Sequence, residues 1–228
     1  MPMYEIASLA PWRHRQIWIR PEDAGEVFFE RDESGEKLNY LVSWIHQNKP
    51  FVGRASGQAN LASKDLRPIG LLLFESPKSK QRLHLLVKNT VIDKVEQPLL
   101  LSSVLAYLPL QHRLCAIHLL DLLQGVEVEI RVFGSAFWSH AQKSTCMTDE
   151  SDLDLIIQTH GRNSIEKTFA ALVKCSNLYA IRLDGELELP NGNTVAWREL
   201  LIRPERILVK SDHGPALRNC SEIWAQLE

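Results

Sequence analysis

The chain has no surplus of either charge: 26 Lys and Arg stand against 28 Asp and Glu, for a formal net charge of -2. Non-specific binding to nucleic acid draws on an excess of cations that displace counterions from phosphates, so no polynucleotide partner is expected. Cysteine is scarce as well. The four, Cys115, Cys146, Cys175 and Cys220, lie far apart, without the paired spacing of a zinc site or a disulfide framework, which points to free thiols in a reducing cytoplasm. No apolar run is long enough for a bilayer, because the stretch around Leu99 to Leu110 is interrupted by Ser102, Ser103 and Pro109. The first residues, with Glu5 and then Arg13-His14-Arg15, lack the basic-then-apolar order of a secretion signal. Repeats and low-complexity tracts are missing too, and no membrane contact is expected.

What is present is the composition of a folded protein. Of 228 residues, 45% are hydrophobic and 24% charged, far from the signature of disorder. That length allows one large domain or two small ones. Short β-like runs occupy the first part: Gln16 to Ile19, Val27 to Phe29, Leu38 to Ile45, Phe51 to Arg54, Ile69 to Phe74 and Leu83 to Val87. Between the last two, Glu75 to Arg82 is polar, basic and broken by Pro77, as in an exposed hairpin tip. Glu5, Glu96 and the charged run Arg31 to Lys37 read as surface.

A composition change follows. Leu110 to Gln124 sets Leu114, Ile117, His118, Leu119, Leu122 and Leu123 on one broad helical face, with Gly125 as the stop. Val126 to Phe133 alternates as a strand with one buried face and runs into Gly134-Ser135. Leu153 to Gln158 is a further strand, Ser164 to Lys174 a helix capped by Asn163 or Ser164, Tyr179 to Leu189 a strand, and Asn191-Gly192 a hairpin turn. The expected division is a smaller β-rich domain over 1-105 and a second domain over 106-228, with the boundary in Pro98 to Pro109.

The chemistry is concentrated in Gly134-Ser135 and, after sixteen intervening residues, Asp152-Leu-Asp154. A strand ending in Gly-Ser and opening into a helix gives close backbone approach, a hydroxyl and N–H groups aimed at an anion, which together make a seat for phosphate. Asp152 and Asp154, two apart on a strand, project from one face. Neighbouring carboxylates repel unless a cation lies between them, and hard oxygen ligands suit Mg²⁺, with Mn²⁺ as a substitute. Asp-x-Asp alone is common on solvated edges. Here the apolar Leu153, Leu155, Ile156 and Ile157 argue for a buried strand, on which paired acids need compensation. A third carboxylate would come from the later strand, where Asp184 and Glu186 share a face. Arg131 is either a surface charge or a phosphate contact, and Arg54, Lys80, Arg82 and Lys210 are basic residues that could meet a polyphosphate or simply be solvated. Trp138 reads as helix packing and His140 as a satisfied polar contact.

The order of strand, Gly-Ser, helix and Asp-hydrophobic-Asp resembles the signature of the DNA polymerase β nucleotidyltransferase superfamily, although the gap between Ser135 and Asp152 is longer than usual there. The longer gap is similar to that of the phosphoribosyl-dephospho-CoA transferases of malonate decarboxylase. That narrower resemblance is carried by Phe133-Gly-Ser-Ala-Phe-Trp138-Ser-His140 and Thr148-Asp-Glu-Ser151-Asp-Leu-Asp154-Leu. Leu183-Asp-Gly-Glu186, Val195-Ala-Trp-Arg-Glu199 and Val209-Lys210 agree, and more weakly so do Pro50 to Arg54, Lys80 to Arg82 and Leu99 to Leu108. The resemblance implies an α+β catalytic half with a mixed sheet packed on helices. It also implies a triphosphoribosyl-dephospho-CoA substrate, and a serine on the apo acyl carrier protein of malonate decarboxylase as acceptor. Asp152, Asp154 and Asp184 are then the candidate metal ligands. Gly134, Ser135, Arg131 and Lys210 are candidate binding residues, and Asp184 or Glu186 is a candidate base. Other acceptors stay open, including the citrate lyase carrier protein, a small molecule or another protein hydroxyl. A catalytically silent carrier-binding module is also open.

Overall fold

A computed structural model describes residues 11–31, 35–55, 65–76 and 79–227. Glu5, part of the Arg31 to Lys37 run and the Pro77-Lys78 hairpin tip lie outside them. The chain is α+β and separates into two compact units. The first is built from residues up to Gln97 together with Asp212–Gly214, and the second from Pro98–Ser211 and Pro215–Glu228.

The first unit is an antiparallel sheet in the order β2-β5-β4-β3-β1-β6. Its strands are β1 (Gln16–Ile19), β2 (Val27–Phe29), β3 (Phe51–Gly53), β4 (Leu66–Ser76), β5 (Ser79–Lys88) and β6 (Ile92–Glu96). Alternation sets the β5 face: Leu83, Leu85 and Val87 are buried between exposed His84 and Lys88. The expected strand at Leu38 to Ile45 is instead helix α1 (Gly35–His46), which buries Leu41, Trp44 and Ile45. Those three fall at i, i+3 and i+4, the spacing of one helical face, and it prevails over the local β-branched and aromatic content.

The second unit is a seven-stranded sheet in the order β13-β12-β11-β10-β9-β8-β7. It contains β7 (Leu99–Leu100), β8 (Val128–Val132), β9 (Leu153–Thr159), β10 (Leu183–Glu188), β11 (Thr194–Ala196), β12 (Arg206–Ser211) and β13 (Gly214–Asn219). Its helices are α2 (Leu101–Val104), α3 (Leu110–Leu122), α4 (Gly134–Gln142), α5 (Arg162–Tyr179), α6 (Trp197–Ile202) and α7 (Cys220–Ala225). β9 and β10 run parallel, which requires a crossover, and α5 supplies it with 18 residues. One sheet face, with Leu153, Leu155, Ile157, Leu183, Leu187 and Val195, forms the core together with α3 and α5. Fully burying each such leucine contributes about 1.5–3 kcal/mol.

α3 is rotated from the expected face: Leu119 and Leu123 are buried as expected, but Leu114 and Ile117 are not. His112, Cys115, Ala116 and Leu119 are buried, while Leu114 and Ile117 are 41% and 40% exposed. Small side chains explain the rotation. Cys115 and Ala116 let α3 approach α5 closely, and Cys115 and Cys175 are buried in the same core. α5 begins at Arg162 behind Gly161, not at an Asn163 or Ser164 cap, and continues through Tyr179, which was expected in a strand. Asn191-Gly192 turns β10 into the antiparallel β11, with Gly192 at positive φ. None of the four cysteines is in a disulfide. Among the described residues no helix is long and apolar enough to cross a membrane.

Candidate active site

β8 leads the chain to the bend. Ile130 and Val132 enter the core, Phe133 remains extended, and Gly134 starts α4 at φ +59. That φ suits glycine, and the space demands it as well: a Cβ on Gly134 would lie 1.9 Å from Oδ2 of Asp154. The backbone tightens the same junction, since the Phe133 N–H donates to the Asp154 carbonyl at 3.2 Å. The N-cap residue Phe133 has no polar side chain to cap α4, and the start of a helix, with the positive end of its dipole, suits an anion.

Ser139, fully buried, braces the bend from within α4. Its Oγ donates to the Ser135 carbonyl at 2.8 Å and accepts from the Cys146 N–H at 2.9 Å, tying the first helical turn to the returning loop. Trp138 is buried against Phe137. His140 contacts Tyr107 and Lys143, and its pKa is lowered by burial and then by the Lys143 charge.

The parallel pairing of β9 and β10 sets Asp154 directly beside Asp184. Residues in register on adjacent strands share a face about 4.8 Å apart, so the two carboxylates are neighbours. The Gly185 N–H donates to Asp184 Oδ1 at 3.0 Å, and the buried Trp197 Nε1 donates to the Leu183 carbonyl at 3.1 Å, fixing the peptide that leads into Asp184. Asp152 lies one residue ahead of β9 rather than within it. Its side chain, 39% exposed, is 3.6 Å from Nε of an Arg182 that is 64% exposed. Such a loose exposed pair is worth about 0–1 kcal/mol and leaves the carboxylate available.

The remaining candidates are placed differently. Glu186 shares the face of Asp184 but is 4% exposed; it accepts from Thr194 Oγ1 and pairs with Lys210 Nζ at 2.7 Å. Arg131 gives its guanidinium to Glu129, to Gln158 at 3.1 Å and to the Pro98 carbonyl. It therefore links strands and is aimed away from the bend. Gln158 continues the chain of contacts to Glu188 at 2.9 Å. The sheet face opposite the apolar core is thus cross-linked strand to strand. Arg54, in the first unit, pairs with Glu30 at 2.8 Å.

Among the described residues no three His, Cys, Asp or Glu side chains form a preassembled metal cage. The donor set still fits a magnesium ion, which takes one or two carboxylates and completes its shell with water and substrate phosphate. Asp154 and Asp184 provide the two carboxylates, Asp152 lies one residue ahead of the strand that carries Asp154, and the absence of a side chain on Gly134 lets the Asp154 carboxylate sit against the bend. Sequence reasoning did not identify His112, Ser139, Gly185 or Trp197. Ser139, Gly185 and Trp197 fall inside the quoted motifs without a role of their own in them, and His112 outside any; His112 and Trp197 act through a carbonyl of another element, Ser139 through the backbone of its own helix and of the loop after it, and Gly185 through the Asp184 carboxylate.

Residues 100–221 match the family profile described as the phosphoribosyl-dephospho-CoA transferase MdcG C-terminal domain. A phosphoribosyl-dephospho-CoA transferase of Xanthomonas axonopodis pv. citri is 31% identical over 200 residues, covering 88% of this chain and 90% of the relative. The protein of the same name from Bradyrhizobium diazoefficiens is 28% identical over 205 residues, covering 88% and 87%. That of Xanthomonas campestris pv. campestris is 30% identical over 204 residues, covering 89% and 91%. No solved structure gives a significant match.

Proposed function

Because the chain belongs to the phosphoribosyl-dephospho-CoA transferase family and is a transferase, we propose that it modifies the apo acyl carrier protein of malonate decarboxylase. The phosphoribosyl-dephospho-CoA group passes from its triphosphoribosyl precursor to a serine hydroxyl of the carrier, and pyrophosphate is released. The observation that carries this reading is the register of Asp154 with Asp184 beside the Gly134 bend: two neighbouring carboxylates next to the start of a helix suit a polyphosphate with its cation.

The serine oxygen forms a bond to the phosphorus nearest the ribose while the bond from that phosphorus to pyrophosphate breaks, the two oxygens roughly in line. Bound Mg²⁺, or Mn²⁺ in its place, supplies charge neutralisation between the triphosphate and Asp152, Asp154 and Asp184. The N–H groups at the start of α4, with the Ser135 hydroxyl, hold the departing pyrophosphate. Asp184 takes the serine proton or orients the hydroxyl. The engagement of Glu186 with Thr194 and Lys210 favours Asp184 for that role. Lys210, held by Glu186 on the same face, has further hydrogens for a substrate phosphate. Catalysis is then mostly positioning and electrostatics.

In this reading residues 1-105 meet substrate or partner and residues 106-228 carry the chemistry, an arrangement that the division between Gln97 and Pro98 supports. The reaction is placed in the cytoplasm, in keeping with four cysteines outside any disulfide. Intact-mass spectrometry tests the proposal. Apo carrier incubated with the full chain, triphosphoribosyl-dephospho-CoA and Mg²⁺ gains the mass of the prosthetic group on one serine, and no gain at any enzyme concentration rejects it. Thermal stabilisation by ATP with Mg²⁺, and none by dephospho-CoA with Mg²⁺, points instead to a nucleotidyltransferase with another acceptor.

A further inference from the structure

We propose that His112 is a positioning residue for Asp152, acting through the peptide bond that precedes it. This rests on the reading of Asp152 as a ligand for a divalent cation.

His112 is fully buried on the core face of α3, a place where an aliphatic side chain would leave no polar atom to satisfy. One ring nitrogen, Nδ1, has no hydrogen-bond partner among the described residues, so the imidazole is retained at a cost. The other nitrogen, Nε2, lies 2.7 Å from the Ser151 carbonyl oxygen. A carbonyl only accepts, which puts a proton on Nε2.

That carbonyl belongs to the same planar unit as the Asp152 nitrogen. Holding the oxygen fixes the plane from which the Asp152 side chain departs. The turn that carries it is closed on itself: the Ser151 N–H donates to the Thr148 carbonyl at 3.1 Å, and the Thr148 N–H donates to Ser151 Oγ at 3.0 Å. His112 ties this closed turn to α3. On the far side the Leu153 N–H donates to the Arg182 carbonyl at 3.0 Å. Asp152 is therefore suspended between two anchored peptides, while among the described residues its own side chain pairs loosely with Arg182. A carboxylate in that position has its approach to a cation set by the backbone, and the imidazole sets the backbone on one side.

The test compares H112L, which keeps the apolar bulk and removes the donor, with H112Q, which returns an N–H at similar reach. Mn²⁺ binding to the full chain is measured by electron paramagnetic resonance, and thermal stability is recorded alongside. H112L is expected to weaken Mn²⁺ binding about 10-fold or more, the usual scale for losing a group that orients a ligand. H112Q is expected to recover most of it. The Mg²⁺ concentration giving half-maximal transfer should move in the same order. A purely structural histidine would lower the melting temperature and leave Mn²⁺ affinity unchanged, and that outcome overturns the proposal. So does a folded H112Q that binds Mn²⁺ as poorly as H112L. Absence of Mn²⁺ binding by the unsubstituted protein rejects the ligand reading itself, and the proposal with it.

Discussion

Gly134 and Asp154 fit together so closely that the carboxylate Oδ2 occupies the place where a side chain on residue 134 would begin, 1.9 Å from an ideal Cβ. The bend and the acid are thus one structural unit, although they are twenty residues apart in the chain.

Gly134→Ala should therefore disturb both partners. The positive φ costs about 1–3 kcal/mol for a residue with a Cβ. The displaced Asp154 carboxylate should lower the transfer rate about 100-fold or more, as a 1 Å misplacement does. Urea unfolding and steady-state kinetics measure the two effects separately. Asp154→Asn and Asp152→Asn, which keep the shape, should abolish transfer with little change in unfolding, and near-normal rates in either would remove that residue from the assignment.

The two acids of β10 should behave in opposite ways. Asp184→Asn is expected to lose transfer with stability nearly unchanged, because the carboxylate is only half-buried and among the described residues accepts from the backbone N–H of Gly185. Glu186→Ala leaves Lys210 and Thr194 facing a buried gap and should cost about 1–3 kcal/mol. A thermal melt paired with an activity assay separates them. Equal loss of activity with equal loss of stability would show that the distinction drawn between them is mistaken.

The cysteines give a prediction for alkaline pH. Burial, with the neighbouring Cys175 adding to it, pushes the Cys115 thiol up to about 12 from its ordinary 9.0. A raised folded-state value means that the stability from the neutral thiol is complete below pH 9, where the unfolded chain also keeps its proton. It is lost as pH rises from about 9 towards 12, where only the unfolded chain ionises. Stability measured against pH should fall across that window, and Cys115→Ala should flatten the fall. At pH 8 Cys115 should resist alkylation in the folded protein and react in denaturant, which peptide mass spectrometry reads directly.

Removing the Arg182 guanidinium is expected to matter little for folding. Both partners of the Asp152 pair are well exposed, so Arg182→Ala should change unfolding free energy by about 1 kcal/mol or less, and added salt should reduce the difference further.

The elements most legible in the sequence were those with a strict local period. The alternation from Val126 to Phe133 marks β8, and the Gly134-Ser135 bend with Asp154 on the following strand was readable because glycine and paired acids are rare inside apolar strands. Leu38 to Ile45 was not, because apolar residues there satisfy both periods and only packing selects i, i+3, i+4. On α3, Leu114 and Ile117 outweighed the small Cys115 and Ala116 that allow close helix contact. The choice between Asp184 and Glu186 lay beyond local reading too. It depends on the register of a parallel pair and on Lys210, contributed by a strand two positions away in the sheet. His112 has no motif at all, since its partner is a carbonyl 39 residues downstream.

The parallel crossover has a consequence for how the protein comes into being. A nascent chain finished through Tyr179 already owns the bend and two of the three aspartates, yet the neighbour of Asp154 arrives only when β10 docks after the whole of α5 has wound. A chain that stops short of β10, or a fragment freed by a cut ahead of residue 183, therefore lacks the Asp154–Asp184 pair on which the proposed chemistry rests.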